Sequence, residues 1–437
     1  MRAVKGESFM ETCQCGRVHR SSVKRVIAES GAINALPEQI RFLGGKRVFI
    51  LADENTYAAA GEKVTDVLKK AGVSYSLRVL SGRLAPDEKT VGSAFMLFDS
   101  DCDVIVGVGS GVINDTCKLL GVKTGKPYII VATAPSMDGY ASATSSMDVD
   151  GVKTSLQTKC PDVIIGDIEI LKNAPARSLQ AGLGDMLAKY VAICEWRISN
   201  LVTGEYYCEN VASLVRSALK KCTDNADGLL KRDENAVKAV FDGLTLSGMT
   251  MEYAGLSRPA SGAEHSMSHV FDMRALEFGT GGDLHGIQCA VCTLYVARAY
   301  EQLAAMPFDE KRAIRHAENF DLDGWREKLS AFMGKGAKAM IELDKKEKKY
   351  DRAKHAERLK RIIDDKDKIL KIVKEELPDS AYILSVLKKT GSPVCCEDIG
   401  IEKSVLPTAF AAAKDIRDKY ILPRLCWDLG VIDDIRF

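Results

Sequence analysis

The sequence predicts a parallel α/β domain over residues 1–172 followed by an all-α domain over residues 173–437. Three observations carry that division. In the first part, compact apolar runs alternate with stretches of helical spacing, the pattern of a parallel sheet covered by helices on both faces. A glycine-rich turn, Gly107/Gly109/Gly111, sits between one such run and a helical stretch, which is the setting a phosphate-binding turn needs. From Pro175 onward only helical periodicity is found, so the boundary is placed near Asn173-Ala174-Pro175.

Taken in order, Gly44-Gly45 precedes the run RVFILA at 47–52, read as a buried strand ending at Asp53. Residues 57–71 have helical spacing and stop at Gly72. A second strand covers 74–80, and a helix follows Pro86, a residue suited to a first helical turn. Residues 104–108 read as a buried strand, 112–120 as a helix, and 128–132 as a strand running into Thr133-Ala134-Pro135-Ser136. Asp150-Gly151 between two short runs signals a hairpin, and 162–165 reads as a last strand. The second part holds helical patterns at 211–221, 235–246, 264–274 and 286–300. The charged run 344–376 carries Leu359, Ile362, Ile363, Leu370 and Val373 at helical intervals. It reads as two long helices with solvated faces, not as a binding tail.

The chain has 437 residues with 61 basic and 60 acidic side chains. That balance argues against a nucleic-acid or membrane-surface partner held mainly by charge. No apolar run approaches the roughly 20 residues of a membrane span. The 13 cysteines are odd in number and scattered, and the first residues are polar rather than a signal peptide, so reduced thiols and a cytoplasmic location are expected. Cys13-Gln14-Cys15 with His19 has the form of half a zinc site. No matching second half follows, and an exposed thiol pair or a hairpin is the favoured reading.

Three of the six histidines, His265, His269 and His285, fall within 24 residues. His265 and His269 are four apart and share a helix face, while His285 opens the next helix. Imidazole is the commonest side-chain ligand of zinc, iron and nickel, and a catalytic metal takes about three protein ligands and an open position. Asp185, in GLGDMLAKY, is the candidate third ligand; an ion pair with Lys189 is its alternative. Glu264 either supports His265 or lies at the surface. Cys289 and Cys292 read as buried helix thiols rather than ligands. The glycine turn is the phosphate-binding candidate, since glycines and free helix N–H groups let a pyrophosphate approach. Asp53 is placed to accept from ribose hydroxyls, with an ordinary N-cap as the alternative.

The motifs GVGSGVIND (107–115), TAPSMDGYAS (133–142), GLGDMLAK (182–189), SGAEHSMSH (261–269) and LHG (284–286) resemble those of the glycerol dehydrogenase, iron-containing alcohol dehydrogenase and dehydroquinate synthase superfamily. Within it they resemble the sn-glycerol-1-phosphate dehydrogenases most, over residues 47–298. The resemblance implies a dehydroquinate synthase-like fold with a dinucleotide-binding domain and a helical metal- and substrate-binding domain. It implies one divalent metal, zinc or nickel, on Asp185, His265 and His285. It places His269 and Asp138 beside the substrate, so that His269, Asp138 and Asp185 form the catalytic set. It assigns NAD or NADP to Asp53, to Gly111, Val112, Ile113, Asn114 and Asp115, to Thr133, Ala134, Pro135 and Ser136, and to Ser142. Asp53 should repel a 2′-phosphate, which favours NAD. The implied reaction interconverts dihydroxyacetone phosphate and sn-glycerol 1-phosphate, with Lys153, Lys189 and Arg258 as candidates for the substrate phosphate. A homodimer with no nucleic-acid partner is expected. The alternatives are a polyol dehydrogenase acting on unphosphorylated substrate, a dehydroquinate synthase-like cyclase, and a non-catalytic protein on the same fold. The complete Asp/His/His set argues against the last.

Overall fold

The computed structural model describes residues 4–5 and 13–437, so most of the polar leader lies outside the described residues. The chain forms two compact units, Met1–Met186 with Ser213–Leu256 and Leu187–Ala212 with Ser257–Phe437.

The first unit is built on a seven-stranded sheet. Its strands are β1 (Val4–Lys5), β2 (Arg25–Glu29), β3 (Arg47–Asp53), β4 (Ser74–Leu80), β5 (Val104–Gly109), β6 (Tyr128–Ala132) and β9 (Val163–Asp167). β7 (Thr144–Val149) and β8 (Val152–Gln157) form a separate hairpin. The sheet order is β1-β2-β9-β6-β5-β3-β4, with β1 antiparallel to β2 and every other pairing parallel. β5 and β6 are buried along their whole length, which is why they read as unbroken apolar runs. Val48, Ile50, Val106, Val108, Val131 and Ile165 lie in one core with the helices on that face.

β2 has no such signature. Of its five residues only Ile27 is buried, so neither a continuous run nor a clean alternation marks it. In the hairpin, Asp150 and Gly151 have φ of 53° and 74°, both positive as a type I′ turn requires. The segment 213–256 returns to the first unit because the sheet needs cover. Phe241, on the helix Glu234–Ala254, lies against Gly166, where a Cβ would come 2.1 Å from its ring. It also meets Tyr140 edge-on at 5.9 Å. The chain therefore does not divide at a single point near Asn173.

The second unit is helical. The charged run folds into the end of Gly336–Glu347 followed by Arg352–Asp364 and Lys366–Glu376. Asp351 caps the middle helix through Lys354 N–H. The chain breaks at Asp365, so the buried stripe is Leu359 and Ile362, then Ile369 and Ile372, shifted by one from Leu370 and Val373. Beside these helices Asp415 is buried and takes bonds from Lys414 (3.1 Å), Arg424 (3.0 Å), Tyr350 Oη (2.6 Å) and Trp325 Nε1 (2.9 Å). Among the described residues no helix is long and apolar enough to cross a membrane.

Candidate active site

In the first unit β5 runs through Ser110 into the helix Gly111–Thr124, whose first N–H groups lack intrahelical partners. The glycines of the turn have different roles. A Cβ on Gly107 would lie 2.9 Å from Tyr128 Oη, and one on Gly109 would lie 2.6 Å from Ile113 Cβ. Both are required by packing. A Cβ on Gly111 would meet only Met137 Cε, at 3.9 Å, so this glycine leaves room for a ligand to approach the backbone. Asp53, Arg83, Ser110, Val112 and Ile113 line a cleft of about 270 Å³ beside it.

Asp53 is an N-cap and a cleft residue at once. Its Oδ1 accepts from the N–H groups of Asn55 (2.8 Å) and Thr56 (2.9 Å), and Thr56 Oγ1 accepts from Asp53 N–H, a reciprocal capping box. The side chains of Asn114 and Asp115 are engaged elsewhere than expected. Asn114 donates to Gly139 O (3.0 Å) and accepts from Tyr128 Oη (3.0 Å). Asp115 pairs with Lys118 (2.8 Å) and accepts from Ser146 N–H (3.1 Å). Asn114 thereby braces the loop that follows β6, and Asp115 holds β7.

That loop, 133–142, is held at many points. Thr133 N–H donates to Gly109 O, Ser136 N–H to Ala134 O, and Tyr140 Oη to Ala134 O at 2.7 Å. A Cβ on Gly182 would come 1.9 Å from Pro135 O, so the GLGD helix needs its first glycine to reach the loop. Ser142 Oγ accepts from Thr144 N–H at 3.1 Å, which spends part of its hydroxyl on the loop itself. At the loop's centre Asp138 N–H donates to Oδ2 of the buried Asp185 at 2.8 Å. Asp138 Oδ2 in turn accepts from Ser247 Oγ at 2.9 Å.

The three histidines belong to the second unit. His265 lies on the helix Ala263–Phe278, and His285 is the first residue of His285–Ala305. Glu264 is fully buried, not a surface group. Its Oε1 accepts from Gly262 N–H (2.8 Å) and lies 2.6 Å from His265 Nδ1. A Cβ on Gly262 would strike Glu195 Oε2 and Glu264 Oε2, at 2.6 and 2.8 Å, so glycine is required where the two carboxylates meet. Burial first, and then the neighbouring Glu264 charge, raise the Glu195 carboxyl to about 8. His265 and His285 meet edge to face with ring centres 5.0 Å apart, and His269 stacks on His285 at 5.7 Å. Donor atoms of His265, His285 and Cys289 lie within 4.8 Å of one another.

The two imidazoles of this set fit a divalent cation. With Nδ1 of His265 held by a buried carboxylate, its lone pair lies on Nε2, the arrangement of a ligating imidazole. Ser268 Oγ lies 3.3 Å from His285 Nδ1 and orients the second ring in the same way.

The iron-containing alcohol dehydrogenase model matches residues 27–175. Among solved structures, 1,3-propanediol oxidoreductase superposes with a TM-score of 0.64 at 17% identity, covering 95% of this chain and 98% of that one. Glycerol dehydrogenase from Schizosaccharomyces pombe superposes with a TM-score of 0.61 at 16% identity, covering 94% and 89%. These likenesses establish the fold. The glycerol-1-phosphate dehydrogenase [NAD(P)+] of Halalkalibacterium halodurans is 31% identical over 94% of both chains. The chain belongs to the glycerol-1-phosphate dehydrogenase family. A further relative of that name, from Thermococcus sibiricus, is 36% identical over 58% of this chain and 70% of its own length.

In this glycerol-1-phosphate dehydrogenase family member two supporting residues escaped the reading of the sequence. Lys118 is fully buried, and its Nζ donates to the carbonyls of Gly139 (3.1 Å), Ser142 (3.3 Å) and Thr144 (2.5 Å). Its signal was a lysine three residues after Asp115 on the same helix. Arg83, in the cleft with Asp53, had none, because it lies in a loop without a motif. Of the phosphate candidates, Arg258 is excluded by its partners: its guanidinium is bonded to Glu205, Ser199 Oγ and Tyr420 O. Lys189 is buried and donates to Ala260 O at 3.0 Å. Lys153 is on β8 and half-buried.

Proposed function

We propose that this chain interconverts dihydroxyacetone phosphate and sn-glycerol 1-phosphate, using NAD or NADP and one divalent cation held by Asp185, His265 and His285. The observation that carries the reading is the likeness to the Halalkalibacterium halodurans glycerol-1-phosphate dehydrogenase [NAD(P)+], which extends over 94% of both chains. The His265–Glu264 contact and the open backbone at Gly111 support it independently.

When bound, the nicotinamide supplies a hydride and the cation, zinc or nickel, acts as a Lewis acid. The chain's own residues do the rest. The first turn of Gly111–Thr124, with Val112 and Ile113 at the cleft wall, receives the pyrophosphate through backbone N–H groups. Asp53 accepts from the ribose hydroxyls. Thr133, Ala134, Pro135, Ser136 and Ser142 shape the nucleotide side of the loop that Lys118 and Asn114 brace. Asp138, tied to Ser247, contacts the substrate hydroxyls. His269, with Asp272 Oδ2 4.0 Å from its Nδ1, delivers a proton to the oxygen as the hydride reaches carbon. The enzyme works as a homodimer in the cytoplasm, where thiols stay reduced; among the described residues every cysteine is a free thiol.

The test pairs metal analysis with NADH oxidation. Dihydroxyacetone phosphate should be reduced far better than dihydroxyacetone. Preference for the unphosphorylated ketone would make the protein a polyol dehydrogenase, and conversion of a sugar phosphate without net NADH use would make it a cyclase.

A further inference from the structure

Outside the active site, the segment around Cys13 departs from the exposed thiol pair expected from the sequence. Cys13 is buried, Cys15 is half-buried and His19 is fully buried. Gly16 takes φ of 78°, and its N–H donates to Cys13 O at 2.8 Å. This tight turn folds the two cysteines back on themselves, so that both thiols reach His19. Cys15 Sγ lies 3.3 Å from His19 Nε2, and the donor atoms of Cys13, Cys15 and His19 are all within 4.8 Å of one another. The other ring nitrogen, His19 Nδ1, is 2.9 Å from Tyr253 O. A backbone carbonyl that takes the Nδ1 proton fixes the tautomer with its lone pair on Nε2, which is how structural zinc histidines are held.

The surroundings hold these donors in place. Arg17 donates to Ala254 O (3.1 Å) and Ser22 N–H to Glu252 Oε2 (2.7 Å). The whole segment is thereby moored to the end of the helix Glu234–Ala254 within the first unit. Soft sulfur with nitrogen donors selects zinc over magnesium or calcium.

We propose that Cys13, Cys15 and His19 hold a structural zinc ion that pins the N-terminal segment to the end of the helix Glu234–Ala254. The spacing C-x-C is one residue tighter than the usual C-x2–4-C, and the left-handed Gly16 makes that shorter loop feasible. Binding converts two thiols to thiolates, releases two protons to solvent and changes no oxidation state. The ion takes no part in the redox reaction, and a further ligand completes its four-coordinate shell.

The test is metal content of the full chain after dialysis against a chelator. The expected result is one zinc per chain that survives His265→Ala and is lost in Cys13→Ser/Cys15→Ser. Cobalt substituted into His265→Ala should show a thiolate-to-cobalt charge-transfer band that the double cysteine variant lacks. If the double variant does not fold, Cys15→Ser alone and Cys15→His decide the matter. Serine should lose the zinc and histidine should keep it. Equal zinc in wild type and Cys15→Ser, or no zinc left after His265→Ala, would overturn the proposal. Neither result depends on whether the chain reduces dihydroxyacetone phosphate.

Discussion

Asp138 donates its backbone N–H to Asp185 Oδ2 across 2.8 Å. A main-chain donor thus orients the carboxylate proposed as a metal ligand, and the loop that carries one acid fixes the other. Asp185→Asn keeps an acceptor for that N–H but removes the charge. It should retain the fold within about 1 kcal/mol, the scale of one intramolecular hydrogen bond, while losing bound metal and nearly all turnover. Metal content measured beside a thermal melt checks both halves, and full metal loading of Asp185→Asn would remove Asp185 from the ligand set.

If His265 holds the proposed cation, Glu264 acts on it through that ring. Glu264→Gln preserves shape and hydrogen bonding but not the carboxylate that polarises the ring. Loss of such an outer partner costs roughly 10–100-fold in metal affinity or activity. Competition with a metal indicator measures this directly, and an unchanged affinity would make the 2.6 Å contact a packing feature only.

Gly111 and Gly182 should respond oppositely to alanine. At Gly182 the new methyl meets Pro135 O at 1.9 Å, and overpacking of this kind costs about 1–3 kcal/mol or more. At Gly111 nothing lies closer than 3.9 Å, and alanine is the better helix former by roughly 1 kcal/mol. Gly111→Ala should therefore melt no lower than wild type yet raise the KM for the dinucleotide. Denaturation and kinetics on the two variants separate packing from binding.

Asp53 and Arg83 line the same cleft, which sets an acid and a base beside the proposed dinucleotide site. Asp53→Asn preserves the helix cap and should shift preference toward NADPH. Arg83→Ala should weaken NADPH more than NADH, since a cation lining the cleft favours the added charge of a 2′-phosphate. Ratios of kcat/KM for the two cofactors give the answer, and a ratio unmoved in both variants would clear this cleft of any role in cofactor choice.

The buried charges around Asp415 make stability depend on pH. Burial first, partly opposed by Asp415, lowers the Lys414 and Lys349 amines to about 8. An unfolded lysine titrates near 10.4. Between those values the unfolded chain binds more protons, so this contribution to stability rises with pH, is fully present above the unfolded pKa and is lost as pH falls through about 8. Lys414→Met should flatten the rise when its melts are compared with wild type from pH 8 to 10.5. Asp415→Asn, which strands buried cations, should cost about 3–5 kcal/mol.

Much of this was visible in the residues. β5 and β6 are buried end to end and could be read from unbroken apolar runs. Asp-Gly gave the hairpin turn away through its backbone requirement. What stayed hidden was hidden for physical reasons. β2 buries a single side chain and so has no pattern to find. The return of 213–256 to the first unit is a tertiary choice, made by Phe241 over Gly166, that no local spacing encodes. Nothing in the sequence marks Lys118 as buried, since a lysine is almost never buried unless paired. The partners that bury it are carbonyls, which carry no side-chain signature. The burial of Cys13 and His19 was equally hidden, because the carbonyl that orients the histidine belongs to Tyr253, near the end of a distant helix.

The pairing of β2 with β9 also has a consequence for biosynthesis. Arg25 lies opposite Val163, so the first of these strands leaves the ribosome long before its parallel neighbour exists. At roughly 5–20 residues per second the wait is on the order of ten seconds. Throughout that interval the nascent strand presents an unsatisfied edge, an opening for chaperone capture or for mispairing with another emerging copy.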